Sequence, residues 1–179
     1  MEARTIQLEP DLRIAAHHVS YGIEMLVHTG FYLAGIYSSS MVAPDGNDKR
    51  MALESFLLHF RTLRAFLCPS LQEYKTDDII ASDFLKEDQA RDLGNSTALS
   101  LDQDPIDKML AHLSYRRAPH EWNVPKMLEL MLGELEVFFA MLPPDTREWF
   151  PSAKWLAESK SAADALLQRP IADRSMTSL

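Results

Sequence analysis

Between Leu12 and Tyr37 the residues Leu12, Ala16, Val19, Ile23, Leu26, Gly30, Leu33 and Tyr37 recur at intervals alternating between four and three. At 3.6 residues per turn that spacing puts all of them on one side, so about Asp11 to Tyr37 is expected to form a long helix with one face committed to a core. Gly30 lies on the seam itself, where a missing side chain lets a neighbouring helix approach closely. The turn residues Pro44-Asp45-Gly46-Asn47 then break the pattern, and Asp48 can cap a second helix. Its apolar set is Leu53, Phe56, Leu57, Phe60, Leu63 and Leu67, stopped by Pro69 after Cys68.

From Ser70 to Gln103 the periodicity weakens, apart from a short helical stretch expected within Asp77 to Leu85. A connection this long is unusual between packed helices and is a natural place for a binding function. Pro105 after Asp104 marks another helix start, with Ile106, Met109, Leu110 and Leu113 on one stripe and Arg116 and Arg117 at the C-terminal end. Beyond Pro119 and Pro125, Leu128, Met131, Leu132, Leu135, Phe138, Phe139 and Leu142 mark a further helix, ended by Pro143-Pro144. Asp145 and Glu148 read as a capping-box variant before a last helical segment from Trp149 to Gln168, restarting near Pro151. No period-two run and no Gly-rich strand-to-helix turn is present. The expected fold is all-α: an up-and-down bundle of four main helices plus a C-terminal helix, one domain over residues 1–169, with a disordered tail over 170–179.

A chain of 179 residues buries roughly 70% of its unfolded surface, so folding requires neither disulfide nor metal. The single cysteine, Cys68, rules out an internal disulfide and suits a reducing compartment, so a cytoplasmic location is expected. No N-terminal run reads as a signal peptide, and Glu24, His28 and Glu136 interrupt the apolar stretches well short of the ~18 residues of a membrane span. A net charge of −8 opposes attraction to nucleic acid, which makes RNA a disfavoured partner, and to anionic lipid. Between Leu71 and Asp104 nine acids face only three bases, concentrating the negative charge in the long connection.

Metal sites in helical bundles use Glu-x-x-His pairs, whose offset puts both ligands on one side of a turn. None occurs here. The nearest set is Glu24 with His28, four apart, joined by His59 and His112 from other helices, with His17 and His18 nearby. The simpler reading makes these ordinary polar-face or hydrogen-bonded imidazoles, and no cofactor is expected. Cys68, at a helix C-terminus, meets the wrong dipole pole to become an acidic thiol and reads as a small packing residue. The acids Asp77, Asp78 and Asp83 lack the ordered calcium-loop pattern and read as a solvated face. Leu113 to Trp122 gathers Arg116, Arg117, His120, Tyr115 and Trp122 at a helix break, where guanidinium forks and rings could hold a phosphate. The same residues equally suit a helix end and an aromatic anchor.

Leu53 to Leu63, Asp77 to Phe84 and Ile106 to Arg116 look like segments of uncharacterised bacterial all-helical proteins, which are similar in layout to HEPN domains. The resemblance covers about Asp11 to Leu142. It implies a helical bundle that pairs with a second copy and, in catalytic members, cuts RNA with Arg and His separated by four to six residues. Here three residues separate Arg116 from His120 and two separate Arg117 from His120. Arg13 and His18 have the right separation but sit on the first helix. With eleven arginines and six histidines, chance alone supplies about one such pair.

Three functions follow as expectations. The least demanding is a non-enzymatic helical interaction module that self-associates as a dimer or binds a protein partner, its flexible Met127, Met131 and Met141 suiting adaptable contacts. The second is a HEPN-like RNA-binding or RNA-cleaving protein using Arg116, Arg117 and His120 as catalytic candidates. The third is a metal-dependent bundle enzyme using Glu24, His28, His59 and His112.

Overall fold

A computed structural model describes residues 8–35, 46–68, 78–86, 99, 106, 110 and 122–168. Helix α1 runs Glu9–Leu33, α2 Gly46–Leu67, α3 Val124–Met141, the one-turn α4 Pro144–Arg147 and α5 Leu156–Leu167; 3₁₀ turns cover Ala81–Phe84 and Pro151–Lys154. No strand occurs among the described residues, and the chain is all-α. The helix start expected at Asp104 and the tail from Pro170 lie outside the described residues. Ile106 and Leu110 do belong to the described set and pack onto the core.

Helix α1 begins two residues before the expected Asp11 and takes Pro10 into its first turn, where a missing N–H costs nothing because the first four donors have no partner within the helix. It ends at Leu33: the Ala34 N–H donates to the Gly30 carbonyl, and Gly35 adopts φ +79°, a left-handed geometry that glycine reaches without strain. The seam behaves as its spacing dictates. Ala16, Ile23, Leu26, Gly30 and Leu33 are buried, with Leu12 and Val19 packed at its edge.

Gly22 lies opposite Leu63 and Gly30 opposite Phe56, so α1 and α2 run antiparallel as a hairpin. A Cβ at Gly30 would stand 3.1 Å from both Leu128 Cδ2 of α3 and Phe56 Cε2 of α2. Three helices therefore converge where α1 lacks a side chain. Phe66, Phe84, Phe138, Phe139 and Phe150 pack mostly edge-to-face, tying α2, the first 3₁₀ turn, α3 and the approach to the second turn into one aromatic cluster.

Two helix starts differ from the sequence expectation. Helix α2 already begins at Gly46, which leaves Asp48 inside the first turn rather than at its cap. There its carboxylate still meets the positive end of the helix dipole. Helix α4 begins at Pro144 with Pro143 at the cap position, so Asp145 is a first-turn residue and makes no side-chain cap. The preset φ of Pro144 starts the turn without one. In α3, by contrast, Asn123 caps in the ordinary way, its Oδ1 accepting the Lys126 N–H at 3.2 Å.

Candidate functional site

The outward side of the α1–α2 hairpin is assembled from helical spacing. Ile14, His18 and Tyr21 follow one another at four and three along α1, and Met51, Leu58 and Thr62 at seven and four along α2. Ile14 and His18 share a groove with Thr62, which fixes both rows on the same side of the hairpin. Six large apolar side chains stand exposed among the described residues: Leu8, Ile14, Tyr21, Met51, Leu58 and Val137. Five of them belong to this hairpin or its first residue outside, with Met51 at 68% and Ile14 at 59% exposure.

The groove occupies 540 Å³ at the end of the hairpin where α1 begins and α2 finishes. Ala15, Val19 and Gly22 of α1 and Leu63 and Phe66 of α2 form its floor, and Ile79 and Ile80 form its far wall. That wall is set by a local device: Asp83 Oδ2 accepts the Ile80 N–H at 2.9 Å and closes the 3₁₀ turn, while Phe84 anchors it in the aromatic cluster. Asp83 is thus a partly buried turn-closing residue rather than part of a solvated face. Asp78 is exposed at the rim, and Asp77 lies outside the described residues.

Of the sequence candidates, Glu24, His28 and His59 lie among the described residues. Glu24 and His28 are exposed one turn apart on α1. His59 is half-buried on α2 with its ring edge-on to Tyr21 at 5.7 Å, and burial lowers its pKa. His112, Arg116, Arg117 and His120 lie outside the described residues. Among the described residues, no three of His, Cys, Asp and Glu come together as a metal-binding group.

Sequence reasoning missed Arg64, whose side chain is fully buried in α2. A guanidinium does not lose its proton in proteins, so a positive charge is held within the bundle. It acts on Cys68 one turn later, as does the carboxylate of Glu134 from α3. The signal was present: Arg64 falls four after Phe60 and seven after Leu57, on the buried arc. Residue type argued against reading it there. Cys68 is buried and its thiol is pushed up to about 11, by burial first and by Glu134 second, with Arg64 opposing.

The comparisons add no relative. The chain matches no family model, no curated protein and no solved structure. Any functional reading therefore rests on the hairpin, its groove and the buried charge. No described helix is long and apolar enough to cross a membrane.

Proposed function

We propose that this chain is a non-enzymatic helical interaction module that binds a second copy of itself through the outward face of the α1–α2 hairpin. The supporting observation is the gathering of exposed apolar side chains on that one face. Scattered surface leucines are ordinary, but a row of them along two adjoining helices is the kind of patch that partners cover. With 25 and 22 residues, the helices are about 37 and 33 Å long at 1.5 Å per residue. Two helices side by side at 8–10 Å thus present a face on the order of 700 Å², close to the ~800 Å² each partner contributes to a standard interface. A face meeting its own copy across a two-fold axis needs no second surface and closes at two subunits.

Light scattering behind a sizing column, on Tyr21→Glu, Leu58→Glu and Val137→Glu, tests the reading. Charge at Tyr21 or Leu58 should convert a dimeric wild type to monomer with unchanged helical circular dichroism, whereas Val137→Glu, on α3, should leave the mass as it was. Equal effects at all three positions, or none at Tyr21 and Leu58, would overturn the assignment.

A further inference from the structure

We propose that the pairing of two copies through the α1–α2 hairpin is switched off by acid, with His59 as the group whose protonation releases the partner. The inference rests on the self-association reading above and adds its regulation. His59 sits in the valley between the two helices. Its ring stands edge-on to Tyr21 at 5.7 Å, and its Nδ1 lies 3.8 Å from where a Cβ at Gly22 would be, so the imidazole occupies space that α1 leaves open there. Tyr21 and Leu58, at 56% and 48% exposure, flank it, and both belong to the face assigned to the second copy. A partner laid over them removes the remaining water from a ring that is already half-buried. A neutral imidazole tolerates that loss, whereas an imidazolium needs water or a carboxylate beside it.

Among the described residues, His59 has Tyr21 as its ring partner and no ion pair with a carboxylate. On α2 the positions one turn either side of it are Ser55, Phe56, Thr62 and Leu63, none of them charged. The titratable groups on the facing side of α1 are Tyr21, His18 and His28, and a further imidazolium there adds repulsion. Glu24 lies about 160° around α1 from Gly22, while Glu54, Arg61 and Arg64 lie about 140–160° around α2 from His59. Asp11 and Asp78 belong to the groove farther along the hairpin. The first 3₁₀ turn, with Asp83, and α3, with Glu134, meet α2 at Phe66 and Cys68, two turns on. Burial prevails over these groups and lowers the His59 pKa from the ordinary 6.5. Deeper burial under a partner lowers it again, so a dimer binds fewer protons than two monomers and weakens as pH falls through the monomer's pKa.

Sedimentation equilibrium of the full chain at pH 7.5 and pH 5, together with imidazole ring-proton NMR of the wild type across that range, tests the switch. Wild type should be dimeric at pH 7.5, and its dissociation constant should rise about tenfold or more at pH 5, because each copy carries the group, with helical circular dichroism unchanged. His59→Gln, neutral at both pH values, should have the same dissociation constant at each, whereas His18→Gln should keep most of the wild-type rise. The His59 ring resonances of the wild type should titrate in step with loss of the dimer, a readout that needs no substitution. A monomer at pH 7.5 would remove the self-association reading and this inference with it. A dimer as tight at pH 5 as at pH 7.5, an equal acid loss in His59→Gln, or a His59 ring that stays neutral while the dimer comes apart would overturn this inference alone.

Discussion

Cys68 shows how far one position can be read from its neighbours and where that reading stops. Its place at the end of a helix before Pro69 already argued against an activated thiol. The carboxylate of Glu134, 66 residues away in sequence on another helix, could not be inferred from that spacing, yet it pushes the pKa in the same direction as burial. With the thiol raised to about 11 from an ordinary 9.0, a disulfide reagent at pH 8 should label the native chain at least about a hundredfold more slowly than the same chain in guanidinium. The linkage has a definite sign. Above pH 9 the unfolded chain gives up a proton that the fold retains, so this group's contribution of about 3 kcal/mol is lost as pH rises from 9 through 11. Urea unfolding of wild type and Cys68→Val across that window checks it, the variant lacking this part of the slope. Rapid labelling of the native thiol would show that it is not enclosed. Arg64 carries a related lesson: the period placed it inside, and only its charge made the position look like surface.

At the scale of helices, the four-and-three spacing of α1 was sufficient to identify its buried face, because a helix turns every side chain by a fixed angle whatever it packs against. It was also sufficient to single out Gly30 as a point of close approach. Gly22, Gly30 and Gly133, each inside a helix, give this a quantitative test. A Cβ at Gly30 would enter the 3.0–3.4 Å range against the fully buried Phe56 and Leu128, one at Gly22 would make ordinary contacts, and one at Gly133 in α3 meets nothing within 4 Å. Gly133→Ala and Gly22→Ala should therefore each stabilise the fold by about 0.5–1 kcal/mol through helix propensity. Gly30→Ala should destabilise it by about 1 kcal/mol or more, because the packed rings and methyls cannot retreat without strain. Chemical denaturation of the three variants gives the answer. Stabilisation by Gly30→Ala would mean that the three helices are less tightly converged than described. Helix starts were less legible than helix faces. Gly46 and Pro144 begin α2 and α4 ahead of Asp48 and Asp145, the acids that resembled caps, and at α4 no side chain caps the turn.

At the scale of the whole molecule, the all-α architecture was legible because consecutive segments carry the same period and none carries the alternation of a strand. The groove was not. It forms where the start of α1, the end of α2 and the Asp78–Ile80 segment meet, and no local pattern distinguishes Asp11, His18 or Thr62 from ordinary solvent-facing residues. Long-range ties of the same kind fix the rest of the packing: Ser152 Oγ lies 3.1 Å from Ser20 Oγ in a buried contact across 132 residues of sequence, and Lys160 of α5 reaches Glu136 of α3 at 3.6 Å. The exposed apolar row on the hairpin likewise becomes a surface only once the two helices lie side by side. Its proposed role, contact with a second copy, is tested most directly by native mass spectrometry of the gently purified full chain. A species at twice 20.3 kDa is expected, reverting to the single mass when Leu58 is replaced by Glu; a wild-type chain that stays at the single mass across the micromolar range would rule out this pairing.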